Sequence, residues 1–123
     1  MSLILIVEDN EKNLKLVRDV LQVKGYKTLE SGTAEDGIKL AIEKKPDLIL
    51  MDIQLPGMNG IDALKVLRAD PATSAIPVVA VTASVMQQDR TLITEAGFDG
   101  YVSKPISIKE FLEAVNKALA GNA

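Results

Sequence analysis

The 123-residue chain has the length and composition of one globular domain, since 47% of its residues are hydrophobic and 25% are charged. It contains no Cys and no His, which excludes disulfides, thiolate or imidazole metal ligands, and any mechanism that needs a histidine of its own. The net charge of -3, without a basic cluster, argues against nucleic acid as a partner and favours a protein partner.

The N-terminal region does not have the pattern of a targeting segment. No apolar run approaches the roughly 18 residues that cross a bilayer, and the first residues lack the cationic start of a signal peptide. We therefore expect a cytoplasmic protein with no membrane partner.

The first half of the chain alternates strand-length apolar runs with helix-period segments. Leu3–Val7 is apolar throughout, which is typical of a strand buried on both faces of a parallel sheet. A weaker edge strand is predicted at Lys27–Ser31 and a third strand at Leu48–Met51. The helical segments between and after them carry apolar residues three or four positions apart: Leu14, Val17 and Leu21, then Ile38, Ala41 and Ile42, then Ile61, Leu64 and Leu67.

The second half continues the alternation. Strands are predicted at Val78–Val81 and Gly100–Ser103, and a strongly amphipathic last helix is predicted from Ile108 onward. The helix predicted at Met86–Ala96 has only a thin apolar stripe, so we expect it to be the most mobile element. Five βα units predict a doubly wound α/β domain, with a parallel sheet and helices on both faces.

Polar residues fall where the predicted strands end. Glu8-Asp9-Asn10 follows the first strand, and Asp52 ends the third. Thr82-Ala83-Ser84 ends the fourth strand, and Lys104-Pro105 follows the fifth. Ligands of doubly wound sheets bind at this edge. Three crowded carboxylates repel one another, which raises the pKa of at least one of them unless a cation neutralises them. Mg²⁺ prefers such oxygen ligands, and with Mg²⁺ bound the site suits phosphoryl transfer to Asp52.

Taken singly, each residue also fits a purely structural role. Asp9 or Asn10 could cap the helix that follows, and Asp52 could be a turn residue at the end of a strand. The remaining residues could be an ordinary strand residue, a surface lysine and a core aromatic: Thr82, Lys104 and Tyr101. Their coincidence at one predicted edge of the sheet favours the functional interpretation.

On these residues, and over essentially its whole length, the chain resembles the receiver domain of two-component response regulators. Glu8-Asp9 resembles the acidic pair of that family, Asp52 the phosphoacceptor and Lys104-Pro105 the lysine with its proline. Thr82 and Tyr101 resemble the hydroxyl and aromatic switch residues. The segments 51–56 and 103–107 are similar to the DivK type of receiver, so we expect one receiver domain over residues 1–123, without an output domain.

The resemblance implies a flavodoxin-like (βα)₅ fold with strand order 2-1-3-4-5. It implies Mg²⁺, with Mn²⁺ as a substitute, held by Asp9, Asp52 and the backbone carbonyl of Gln54, with Glu8 acting through water. Lys104 would contact Asp52 and later the phosphoryl group, and the Lys104-Pro105 bond would be cis. Many receivers carry two aspartates where this chain has Glu8-Asp9, and the longer side chain suits an outer position.

The resemblance also implies how the signal enters and leaves. With no histidine of its own, the chain would receive the phosphoryl group from a histidine kinase, a histidine phosphotransferase or a small acyl phosphate. Thr82 and Tyr101 would then switch, and a downstream protein would bind the face formed by the predicted fourth helix, the fifth strand and the last helix. Three variable positions would tune the phosphoryl lifetime: Gln54, Ala83 and Ser84. We expect a monomer or weak dimer that is a phosphoacceptor rather than an enzyme.

Three other functions are compatible with a fold of this kind. A phosphatase of the haloacid dehalogenase type needs a second Asp two residues after the nucleophile, where this chain has Gln54. A flavodoxin-like electron carrier is disfavoured because Glu8, Asp9 and Glu11 would repel a phosphate. The strongest alternative is a receiver-shaped adaptor that binds its partner without phosphorylation.

Overall fold

Five short strands form one parallel sheet in the order β2-β1-β3-β4-β5. The structure is a computed structural model that describes residues 2–55, 57–82, 93, 95–104 and 106–121. The strands are β1 (Leu3–Val7), β2 (Lys27–Ser31), β3 (Leu48–Asp52), β4 (Val78–Thr82) and β5 (Gly100–Ser103). The predicted sheet and its strand order are confirmed, and Lys27–Ser31 is an edge strand as predicted.

Helices cover both faces of the sheet because successive residues of each buried strand point to opposite sides. The helices are α1 (Glu11–Val23), α2 (Ala34–Lys44), α3 (Gly60–Ala69) and a C-terminal helix, αC (Ile108–Gly121). Leu5 and Ile49 belong to one apolar cluster with residues of α2 and α3. Ile4 and Leu50 belong to a second cluster with residues of α1 and αC. The predicted doubly wound architecture is therefore present.

Side-chain caps fix where the first three helices begin. Asn10 accepts hydrogen bonds from the backbone amides of Lys12 and Asn13, so Asn10 rather than Asp9 caps α1. Thr33 and Asn59 cap α2 and α3 in the same way. Since Asn10 is the cap, Asp9 is not required for that role.

Most of the helix predicted at Met86–Ala96, namely residues 86–92 and Thr94, lies outside the described residues. Its existence and its mobility stay predictions. Of the helices that the structure does describe, none has the length and apolar character needed to cross a membrane.

Candidate functional site

The topology brings the ends of β1 and β3 together. The two strands are neighbours in the sheet, with Val7 opposite Met51, so Glu8 and Asp52 are next in register. On the far side of β3, Asp52 lies opposite Val81, and Thr82 lies opposite Ser103 of β5. Residues far apart in sequence thus meet at one edge of the sheet, where ligands of this architecture bind.

Three acidic side chains cluster at this edge. Carboxylate oxygens of Glu8, Asp9 and Asp52 all lie within 4.8 Å of one another. Glu8 and Asp52 are buried, with exposed fractions of 5% and 2%, whereas Asp9 is exposed. The cluster is therefore open to solvent on the side of Asp9 and closed by the sheet on the other.

Lys104 supplies a positive charge to the two buried acids. Its Nζ atom donates to Oε1 of Glu8 at 2.9 Å and to Oδ2 of Asp52 at 3.2 Å. The backbone amide of Lys104 donates to the carbonyl of Thr82 at 2.8 Å, which continues the pairing of β4 and β5 and sets where the side chain starts. Burial alone would lower the pKa of Lys104, but the carboxylates outweigh it and raise the pKa.

Both carboxylate oxygens of Asp52 accept hydrogen bonds. Oδ2 accepts from Lys104, and Oδ1 accepts from the backbone amide of Gln54 at 2.9 Å. Burial would raise the pKa of Asp52, but a hydrogen bond with Glu8, the amide of Gln54 and the charge of Lys104 outweigh it and hold the pKa below its usual value. Asp52 is therefore ionised at neutral pH and held in a fixed orientation.

Glu8 experiences the opposite balance. Burial, followed by a hydrogen bond to Asp52, raises the pKa of Glu8 to about 7, although Lys104 acts to lower it. Its buried Oε2 atom has no hydrogen-bond partner among the described residues. The prediction placed Glu8 in an outer position, but it did not anticipate the direct pair with Lys104.

The residues present fit a divalent cation. One ammonium group cannot neutralise three ionised carboxylates, and a buried carboxylate oxygen without a partner is costly unless a proton or a cation satisfies it. Carboxylate and carbonyl oxygens are the ligands that Mg²⁺ prefers. Asp9 and Asp52 could bind such an ion directly, and Glu8 is close enough to contribute.

The switch candidates occupy the two neighbouring strands on the other side of Asp52. Thr82 is buried at the end of β4, and Tyr101 in β5 is 37% exposed. Their positions agree with the resemblance, while their role as a switch stays a prediction.

The structure does not test the roles predicted for several site residues. Ala83, Ser84 and Pro105 lie outside the described residues, so lifetime tuning by the first two and the cis peptide bond stay predictions. Gln54 is exposed and its amide holds Asp52, but its carbonyl as a metal ligand stays a prediction.

The sequence interpretation missed one residue next to the site. Gly60, the first residue of α3, lies against the backbone of Asp52 and Ile53. The available signal was the pair Asn59-Gly60, in which a good capping residue precedes a glycine inside a helical pattern.

This fold and this edge are those of a known class of signalling protein. The family model of the response regulator receiver domain matches residues 4–116. The chain therefore belongs to the response regulator receiver domain family, whose standard role is phosphorylation-based signalling in two-component systems.

Several individual proteins are similar to this chain over nearly its whole length. The chain is 45% identical to the polar-differentiation response regulator DivK of Brucella anthropi, over 98% of its own length and 97% of that protein's. It is also similar to the receiver domain of the sensor histidine kinase PA1611 of Pseudomonas aeruginosa, a crystal structure with a magnesium ion coordinated in the active site cleft. That match has 29% identity, a TM-score of 0.89 and coverage of 97% and 98% of the two chains. The receiver domain of the Francisella response regulator 1452, at 24% identity, matches in fold, with a TM-score of 0.92 and complete coverage of both chains.

Proposed function

We propose that Asp52 is the phosphoacceptor of this receiver and that Lys104 and the acidic cluster prepare it for that role. The observation that supports the proposal is a buried carboxylate whose two oxygens are held by the Gln54 amide and the Lys104 ammonium. A nucleophile that must attack phosphorus in line benefits from such fixed orientation. Its depressed pKa keeps it ionised at neutral pH.

The proposed reaction transfers a phosphoryl group from a phosphohistidine of a histidine kinase or a histidine phosphotransferase. A carboxylate oxygen of Asp52 attacks phosphorus, the P–N bond breaks, and a P–O bond forms an acyl phosphate. The electron pair of the broken bond stays on the departing imidazole. A small acyl phosphate can replace the protein donor, in which case a P–O bond breaks and a carboxylate leaves.

Lys104 has a role before and after the transfer. In the unphosphorylated chain its ammonium lies between Glu8 and Asp52. Once Asp52 is phosphorylated, the ammonium donates instead to a phosphoryl oxygen. A donor that is already in place stabilises charge on the transferred group without having to reorganise.

Asp9, Asp52 and the carbonyl of Gln54 would hold Mg²⁺ or Mn²⁺, with Glu8 beside them. When bound, the ion would screen the phosphoryl oxygens and withdraw electron density from phosphorus. Glu8 is expected to be ionised in that state, because a cation offsets the burial that otherwise favours its protonated form.

The output would be a change of partner affinity rather than a chemical product. Thr82 would donate to a phosphoryl oxygen, Tyr101 would reorient, and a downstream protein would read the face around β5 and αC. The single-domain organisation, the cytoplasmic location and the monomeric or weakly dimeric state stay predictions.

Phosphorylation by acetyl phosphate with Mg²⁺ tests the acceptor. We expect one added phosphoryl group in the intact mass of the wild type, no addition for Asp52→Asn, and none when EDTA removes the metal. Asp62→Asn, an exposed aspartate in the first turn of α3, is the matched control and should be labelled like the wild type. Undiminished labelling of Asp52→Asn would contradict the assignment.

A further inference from the structure

The two ends of the segment that joins Asp52 to α3 are hydrogen-bonded to each other. The amide of Gly60 donates to the carbonyl of Ile53 at 3.0 Å, so the first residue of α3 is bonded to the residue that follows Asp52. Asn59 caps the helix by accepting from the amide of Asp62. The start of α3 is therefore held directly against the end of β3.

The contact between Gly60 and the end of β3 is made by backbone alone. A Cβ atom at Gly60 would lie 2.6 Å from the carbonyl oxygen of Asp52, 2.9 Å from Cα of Ile53 and 3.2 Å from the carbonyl carbon of Asp52. All three are backbone atoms, so no change of side-chain rotamer can relieve the overlap. Either α3 or the peptide between Asp52 and Ile53 has to move.

The peptide between Asp52 and Ile53 lies between the proposed nucleophile and the backbone amide that orients it. Asp52 precedes it, and the amide of Gln54, one residue beyond Ile53, holds Oδ1 of Asp52 at 2.9 Å. A movement there shifts the nucleophile, the donor that orients it and the carbonyl of Gln54 together. A displacement of roughly 1 Å at a reacting group can reduce a rate about 100-fold.

We propose that Gly60 is a positioning residue for phosphoryl acceptance: its missing side chain lets α3 pack on the Asp52-Ile53 peptide and thereby sets the geometry of Asp52 and Gln54. The inference rests on the proposed role of Asp52. Gly60 has no side chain to place in the site, and it acts through the peptide it packs against.

The test compares Gly60→Ala with two controls. Gly32→Ala adds the same methyl group at an exposed glycine with nothing within 4 Å of the new atom. Leu67→Ala removes a buried side chain from the same helix two turns away, and should destabilise the fold by about 2–5 kcal/mol without crowding the site. The readouts are Mg²⁺ affinity by amide NMR and the rate of labelling by acetyl phosphate, normalised to the folded fraction.

We expect Gly60→Ala to be labelled about 10- to 100-fold more slowly and to bind Mg²⁺ about tenfold more weakly, with amide shifts at Ile53 and Gln54. Both controls should bind and react like the wild type per folded molecule. A Gly60→Ala protein that matches the wild type in both readouts would overturn the inference. Failure of the proposed function looks different, because the wild type and Gly32→Ala would then also remain unlabelled.

If Gly60→Ala is unfolded in buffer, the Mg²⁺-binding and labelling measurements are repeated in a stabilising osmolyte, with Leu67→Ala measured under the same conditions. Slow labelling of the refolded Gly60→Ala chain supports the inference. If Gly60→Ala does not fold there, whether or not Leu67→Ala does, Gly60 is a requirement of folding rather than of site geometry, and the inference fails.

Discussion

Glu8 and Asp52 have the same functional group, yet their pKa values shift in opposite directions. Burial and the Lys104 ammonium act on both, but Asp52 also accepts a hydrogen bond from the Gln54 amide, whereas Oε2 of Glu8 has no partner among the described residues. Two acids whose surroundings separate their pKa values in this way can perform different tasks at one pH. Under the proposed function, Asp52 would be the ionised nucleophile, and Glu8 would give up its proton when a metal ion binds.

The raised pKa of Glu8 predicts how stability depends on pH in metal-free buffer. Between about pH 4.5 and about pH 7 the folded chain retains a proton at Glu8 that the unfolded chain has lost. The free energy of unfolding should therefore fall as the pH rises through this window, by at most about 3 kcal/mol. The lowered pKa of Asp52 acts at lower pH, where stability is lost on acidification.

Urea unfolding at several pH values in EDTA tests this. Glu8→Gln cannot ionise and should remove most of the decline, while the exposed control Glu43→Gln should keep it. If the curve of Glu8→Gln instead runs parallel to that of the wild type, the pKa of Glu8 is not raised.

At the residue scale, the sequence indicated which side chains would lie together where several polar residue types coincided at one edge of the sheet, and it left two roles open where a single position fitted both. The strand-end acids and Lys104 stood out because charge is rare beside buried strands. Asp9 and Asn10 could not be told apart as caps, since both types accept from helix amides and only the backbone path decides between them. Gly60 was not identified because its need for a glycine comes from a packing contact between α3 and the end of β3. The local sequence pattern does not show such a contact.

At the scale of elements, Arg68 connects α3 to the start of β4 and to the start of β5. Its guanidinium donates to three backbone carbonyls, those of Ser74, Ile76 and Gly97, and to Oδ2 of Asp99. The same oxygen of Asp99 also accepts from the amide of Val78 at 2.8 Å. Five donors in a planar fork suit such a junction, and a lysine could not reproduce it. This junction lies at the edge of the sheet opposite to the acidic cluster.

Removing the guanidinium should therefore cost more than removing a surface ion pair. Arg68→Met should lower the free energy of unfolding by about 2–3 kcal/mol, because hydrogen bonds to a charged group are lost and acceptors lose their donor. Arg18→Met, which removes the Arg18-Glu30 pair at 3.0 Å, should cost clearly less, because an exposed ion pair is screened by solvent and contributes little. Equal losses in urea unfolding would show that the junction adds nothing beyond a surface pair.

The elements themselves were predictable because buried parallel strands have an unmistakable sequence pattern. Leu3–Val7 and Leu48–Asp52 are almost wholly apolar, and the amphipathic αC repeats its apolar residues at helical spacing. The strand order came from the resemblance, since periodicity alone does not state which strands are neighbours.

At the scale of the whole molecule, the proposed switch requires that a change at Asp52 reach a distant face. Asp52 lies opposite Val81 in β4, and β4 pairs with β5, which carries Tyr101. A coupling free energy of about 1–3 kcal/mol would be ordinary for such a device and corresponds to a roughly 5- to 150-fold change in partner affinity.

Amide NMR with Mg²⁺ and beryllofluoride, a mimic of the acyl phosphate, tests the coupling. In the wild type, shifts should extend from the strand ends to β5 and αC. Thr82→Ala should still bind the mimic, but its shifts should stay near Asp52 because the hydroxyl donor is missing. Thr28→Ala, on the edge strand β2, is the control. Shifts in Thr82→Ala that extend as far as in the wild type would refute the role of Thr82.

The position of Lys104 after the last strand has a consequence for chain synthesis. A ribosome-bound chain displays Asp52 long before it has made the ammonium that is to hold it, and the Glu8-Lys104 pair spans 96 positions. Until β5 has joined the sheet, Asp52 lacks the hydrogen bond from Lys104, and the clustered carboxylates repel one another. If Asp52 is the phosphoacceptor, as proposed, an unfinished chain should therefore accept a phosphoryl group poorly, because its lysine is not yet in place.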